Sequence, residues 1–276
     1  MEILSYTFFQ NALIGALLAS VLCGFIGTYI VARRLVLISG GITHASFGGV
    51  GMGVLLGVNP ILSALAFAIF SACGIQWMSN QYNVRIDSAI AMFWTLGMSV
   101  GIICCYLTPG FLPDLPSFLF GSILSIGSAD ILFLLVLTVF VIVVFTLLFR
   151  AILSVAFDNR FAQSQQLPVT GIEYLMMILI AMTIVATLRM VGIVLAISLL
   201  TIPQMTANLF TYRFKRMILW SIFFGWIDCL IGLSISYMLN IPSGAAIIFV
   251  SILIYGLLKT IKVLGNKFNN NEVMAA

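Results

Sequence analysis

Lysine and arginine occur so sparsely along this chain, and at such regular intervals, that long apolar stretches are left between them. Eleven of the twelve fall in the gaps: Arg33 and Arg34, Arg85, Arg150 and Arg160, Arg213 with Lys215 and Arg216, and Lys259, Lys262 and Lys267. The intervening gaps, near Pro60, Pro109–Pro116 and Ile241–Pro242, carry no positive charge, and only Arg189 breaks the alternation. Basic residues collect in the cytoplasmic loops of serial membrane crossings and orient the helices beside them. The pattern predicts an all-α, polytopic integral membrane protein with its N-terminus outside and its C-terminus inside.

Composition supports that reading. With 62% hydrophobic and 7% charged residues, the 276-residue chain has too little charge to form the shell of a soluble domain. A bilayer core takes about 20 apolar residues per helix. On that scale spans are expected near 9–31, 36–57, 61–79, 88–107, 130–149, 171–188, 190–210, 217–239 and 244–261, about eight to nine in all. The stretch 108–129, broken by Pro109, Pro113 and Pro116, is expected to be an outer loop with a partly inserted helix. Residues 1–265 read as one transmembrane domain, and 266–276 (NKFNNNEVMAA) as a polar, disordered cytoplasmic tail. Residues 1–8 include Glu2 and lack a basic segment, which argues against a cleaved signal peptide. The net charge of +4 belongs to the loops and gives no reason to expect nucleic acid. Cys23, Cys73, Cys104, Cys105 and Cys229 lie inside apolar segments without C-x-x-C spacing, as small packing residues do.

Two segments differ from ordinary lipid-facing helix. The second span holds Gly40, Gly41, Gly48, Gly49, Gly51, Gly53 and Gly57, although glycine costs about 1 kcal/mol against alanine in a helix. Close helix packing is one reason for such a run; a pathway wall lined by Gly48 and Gly49 is another. His44, the only histidine, sits in this span. An ionisable side chain inside a bilayer is a functional candidate by default, and neutral imidazole is a common metal ligand. Thr43 and Ser46 flank it as weak helpers, and two copies of His44 facing across a dimer axis would double the ligand count. Asp228 is the other acid well inside a span, and a transport contact and a structural hydrogen bond are both open for it. Asp130 and Glu173 lie at expected helix starts, where carboxylates favour the helix dipole. Arg189 is placed to snorkel to the outer headgroups. The second segment is residues 157–174, the longest polar stretch inside the chain. Phe157 and Phe161 are four apart and Leu167–Pro168 forms a stop, so a short helix along the membrane surface is expected.

Neither a Walker-type G-x-x-x-x-G-K-[ST] loop nor a Ser-His-Asp set is present. ATP, if used, is bound by another chain.

Five segments, in order, resemble the permease subunits of ABC importers for zinc, manganese and iron. RRLVLISGGITHASFGGVGMGVLLG resembles the family's second helix, and FLFGSILSIGSAD its Phe-Gly-Ser-Ile-Leu segment. AFDNRFAQSQQLPV is similar to its coupling helix, VGIVLAISLLTIPQMTA to its Val-Gly-x-x-Leu…Pro helix, and LNIPSGAAI to the start of its last helix. The resemblance implies a homodimer in the cytoplasmic (inner) membrane, two ATP-binding cassette ATPase subunits, an extracytoplasmic metal-binding protein as donor, and a divalent metal ion as cargo. Chemistry on this chain is not expected. It further implies a path that includes Pro203 and ATPase coupling through Phe157, Asp158, Arg160, Phe161, Ala162 and Pro168; from the residues themselves His44 is the expected metal contact, with Thr43 and Asp228 as helpers. Two positions depart from the family pattern. Gly40 replaces an Asp four residues before the His, and Gln166 replaces a Gly after the short helix. Loss of a hard oxygen ligand favours a softer ion such as zinc over manganese. A permease for a metal chelate or cobalamin-like cargo, an ion-coupled secondary transporter and, more remotely, a membrane-embedded enzyme are the alternatives.

Overall fold

The computed structural model describes residues 7–108 and 126–275, without the side chains of 7, 8, 189–191 and 265–275. Ten helices and no strand occur among the described residues: α1 (Thr7–Ala32), α2 (Val36–Leu56), α3 (Pro60–Tyr82), α4 (Ile86–Leu107), α5 (Ser128–Phe157), α6 (Asn159–Ser164), α7 (Val169–Leu199), α8 (Ile202–Asn208), α9 (Phe214–Leu239) and α10 (Ser243–Ala275). Among the described residues seven stretches are long and apolar enough to cross a membrane: Phe9–Ala32, Pro60–Tyr82, Ile86–Leu107, Ser128–Phe157, Val169–Leu188, Phe214–Leu239 and Ser243–Leu264. The loop expected around 108–129 falls largely on 109–125, outside the described residues. So do the Arg189 side chain and the side chains of the tail.

α2 is not among the seven. It lies inside them, packed by α3, α4 and α7, with 13 of its 21 residues buried. Its glycines explain how. A methyl group at Gly48 would lie 2.7 Å from the Gly97 carbonyl, at Gly49 2.4 Å from the Ser63 carbonyl, and at Gly51 2.6 Å from the Gly101 carbonyl. α2 and α4 therefore approach backbone to backbone, as small residues permit in membrane helices. The helix closes at Gly57 (φ 66°), where Val58 N–H bonds the Gly53 carbonyl at 2.9 Å. α3 begins at once: the Asn59 side chain accepts from Ile61 N–H at 3.0 Å and Pro60 occupies the first turn.

The basic gaps gather at one end of the bundle. Arg33, Arg34 and Arg85 line a single cleft with Phe157. Arg213, Lys215 and Arg216 line another with Phe149 and Phe157. Lys262 donates to the Leu209 carbonyl beside them. The chain thus leaves this cationic end at Val169 and is back by Arg213. The return segment, expected as one span over 190–210, is broken instead. Gly192 (φ 77°, ψ 173°) turns the chain at its far end, a conformation that a residue with a Cβ rarely adopts. A second break at Leu200–Thr201 separates α7 from α8, ahead of Pro203, whose missing N–H is tolerated in a first helical turn. Residues Gly192–Asn208 form only a shorter apolar piece, tied to α1 by Gln204, which donates to the Cys23 carbonyl at 2.8 Å.

Candidate functional site

His44 is the ninth residue of α2, and Trp94 is the ninth residue of α4. Both helices start at the cationic end, so the two rings stand at the same depth. They stack nearly parallel, with centroids 4.5 Å apart and planes 5° from each other. His44 is half-buried and Trp94 is 36% exposed, so the pair faces outward on one side. One helical turn nearer the cationic end, Gly40 faces the same neighbours. A methyl group there would meet Trp94 Cζ3 at 3.9 Å and Ile197 Cδ1 at 3.7 Å, ordinary contact distances. The site has room for a larger residue at position 40, and none is supplied.

The other sequence candidates are placed differently. Thr43 and Ser46 are fully buried, and their hydroxyls donate along α2 to the Ser39 and Thr43 carbonyls. Gly48 and Gly49 face α4 and α3 in the packing described above. Pro203 is buried in α8, with its ring against the position of Gly225 on α9. Asp228 is buried on α9, and its Oδ1 has no hydrogen-bond partner among the described residues. α9 packs on α1, α8 and α10 and forms no such interface with α2. One chain therefore does not bring Asp228 to His44. Among the described residues no three His, Cys, Asp or Glu side chains form a metal-sized group.

At the cationic end the short helix expected within 157–168 appears as α6. Asp158 caps it, its Oδ1 accepting from Arg160 N–H at 2.8 Å and Phe161 N–H at 3.1 Å. Its Oδ1 thus serves as the N-cap, and the residue remains exposed. The helix ends earlier than the Leu167–Pro168 stop, because Gln166 takes a left-handed turn at φ 56°. Leu167 N–H bonds back to the Ala162 carbonyl at 3.2 Å and Gln166 N–H to the Gln163 carbonyl at 2.9 Å. Such closures normally place glycine at the turn. Ala162 is buried under the helix, while Phe157, Arg160, Phe161 and Pro168 face outward.

A polar network unforeseen from sequence holds α6 to the bundle. Arg33, one residue past α1, donates through Nη1 to the Val155 carbonyl (2.9 Å) and to Asn159 Oδ1 (2.8 Å). Its Nη2 lies 2.6 Å from Glu173 Oε1. Asn159 Nδ2 also donates to Glu173 Oε1 at 2.7 Å, and Gln76 Nε2 to Glu173 Oε2 at 3.0 Å. Glu173 was expected to complement a helix dipole; it serves as the hub joining α1, α3, α6 and α7. Asp130 does sit at a helix start, its Oδ2 accepting from Gly127 N–H at 3.2 Å.

Comparison with known proteins bears on the fold as a whole. The model of the ABC 3 transport family matches residues 5–261. The manganese transport system membrane protein MntC of Halalkalibacterium halodurans is 33% identical over 256 residues, 93% of this chain and 88% of that protein. The manganese import system permease protein ScaB of Streptococcus gordonii is 31% identical over 250 residues, 91% of this chain and 90% of that one. Among solved structures, PsaBC from Streptococcus pneumoniae in complex with Fab superposes with a TM-score of 0.82 at 28% identity, covering 93% of each chain. The chain is a multi-pass membrane protein that belongs to the ABC 3 transport family.

Proposed function

We propose that this chain is the membrane-spanning permease of an ATP-driven importer for a divalent transition metal ion. It works as a homodimer with two copies of a separate ATP-binding cassette ATPase, and an extracytoplasmic metal-binding protein delivers the cargo. The observation that carries the reading is α6. A six-residue helix is pinned by Arg33, Asn159 and Glu173 while its Phe161 ring and that of Phe157, the last residue of α5, remain exposed, 54% and 65%. That is how a part that passes on a partner's motion is built: apolar anchors outward, rigid ties inward. In this reading the cationic end is cytoplasmic, which leaves the N-terminus outside and the C-terminus inside.

The relatives' names, MntC and ScaB among them, couple this fold to manganese. The His44–Trp94 face is the cargo contact. In the homodimer it pairs with its copy and supplies two imidazoles. Gly40 contributes no carboxylate, so the contact is softer than a carboxylate–histidine pair. Asp228 is a separate contact, met at another point of the path.

The test is the content of manganese, zinc and iron, measured by mass spectrometry, in cells lacking this gene. The expected result is a selective deficit in one metal, restored by the wild-type gene and only weakly by an Asp228→Asn variant. Normal levels of all three metals would refute the proposed cargo.

A further inference from the structure

A crevice of about 950 Å³ opens between α1, α5 and α9 at the cationic end. Its walls are apolar. Phe25 and Phe145 meet edge to face at 5.3 Å, Ile218 is buried beside them, and Leu147 and Leu219 stand 78% and 67% exposed at its margin. α5 leaves helical geometry here, at Leu148 (φ −103°, ψ 15°), which lines the crevice. Two cations head the slot. Arg150 and Lys215 both line it, and Lys215 Nζ lies 4.8 Å over the Phe149 ring. Neither makes an ion pair among the described residues, and no carboxylate is among the lining residues. Also at the cationic end, Phe161 of α6 and Gln165 and Leu167 just after it complete the wall.

From this geometry we infer a binding site for an anionic phospholipid drawn from the leaflet at the cationic end. The headgroup phosphate sits between Arg150 and Lys215, and an acyl chain lies against Phe25, Phe145 and Ile218. Charge complementarity selects the occupant. Two uncompensated cations above an apolar slot fit a negative headgroup with a hydrocarbon tail, and basic pockets between membrane helices bind anionic lipids in this way. The volume lies within the range of roughly 300–1,000 Å³ that holds a small molecule. Because the same slot is walled by the α6 hairpin, the bound lipid touches the element that moves with a cytoplasmic partner.

The test is lipid retention by the full chain. The protein is purified in detergent, incubated with micelles carrying equal phosphatidylglycerol and phosphatidylcholine, washed, and read by native mass spectrometry. Wild type is expected to keep phosphatidylglycerol in preference to phosphatidylcholine. The Arg150→Gln/Lys215→Gln variant is expected to lose it by on the order of tenfold, while Lys215→Arg keeps it. Equal retention of the two lipids by wild type, or undiminished phosphatidylglycerol on the double variant, would overturn the site. If the double variant fails to fold, the salt dependence of wild-type retention decides: a fall with rising ionic strength supports the site, and indifference to salt refutes it. Efficient disulfide cross-linking of two Leu219→Cys copies would place a second chain over the crevice and also refute it.

Discussion

Arg33 and Glu173, 140 residues apart, share a 2.6 Å ion pair at the point where α1 ends and α7 begins. Their side chains are only 20% and 7% exposed, so the pair is largely shielded from water. Removing one member of a buried pair leaves the other charge uncompensated and costs on the order of 3 kcal/mol. Asn159 shares the same carboxylate oxygen, so the loss falls on α6 as well. Glu173→Ala should lower the melting temperature and loosen α6, seen as faster hydrogen exchange over 157–166. A double-mutant cycle with Arg33→Ala should give a coupling energy well above that of an exposed pair, whose worth is about 0.2–1 kcal/mol. Additive single losses would show that the two residues act independently.

Gln166 supplies a second test. With φ at 56° it occupies a region that costs a residue with a Cβ roughly 1 kcal/mol. Gln166→Gly removes that cost at the end of α6 and should stabilise the fold by about 0.5–1 kcal/mol, less the entropy glycine gains in the unfolded chain. Gln166→Val should act in the opposite direction and more strongly. A melting temperature indifferent to both changes would contradict the left-handed turn.

The α2–α4 seam predicts its own failure. A side chain at Gly51 would press into the Gly101 carbonyl at 2.6 Å, and one at Gly97 would meet the Ala45 Cα at 2.4 Å. Both neighbours are backbone, so the helices themselves must separate. Gly51→Leu and Gly97→Leu should each destabilise the protein by about 1–3 kcal/mol or more. Gly171, with nothing within 4 Å of an added methyl, should accept Ala nearly without cost. Equal effects at all three positions would argue against this packing.

The charge pattern made the cationic end legible before any geometry, because loop charge is a local property of the sequence. The glycine run likewise announced close packing, and Phe157–Pro168 announced a short helix. What sequence missed was long-range or conformational. Arg33 meets Glu173 across 140 residues, and nothing in either segment names the other. The break at Leu200–Thr201 lies inside an apolar stretch that hydropathy reads as continuous; Pro203 was the one signal. Trp94 did have a signal: it stands as far from Arg85 as His44 stands from Leu35, which sets both rings at one depth. Asp228 and His44 were paired only by being the ionisable residues of their spans, and the helix packing keeps them apart.

Position 40 tests the chemistry beside His44. The Cβ of an aspartate there would lie at ordinary contact distance from Trp94 and Ile197, and its carboxylate would add a hard oxygen one turn from the imidazole. Gly40→Asp should raise manganese uptake relative to zinc by roughly tenfold, the scale on which metal affinity responds to changes around a ligand. An unchanged ratio in a competition assay would separate position 40 from the cargo.

The central claim is that a metal ion passes the His44–Trp94 face when a partner hydrolyses ATP. Its most direct test is ATP-dependent uptake of radiolabelled manganese and zinc into liposomes holding the permease with its ATPase, for wild type and His44→Ala. The account predicts that wild type accumulates one of the two metals only when ATP is supplied. It also predicts that His44→Ala, still assembled with the ATPase, loses most of that uptake. Equal uptake by the two proteins at limiting metal would contradict it.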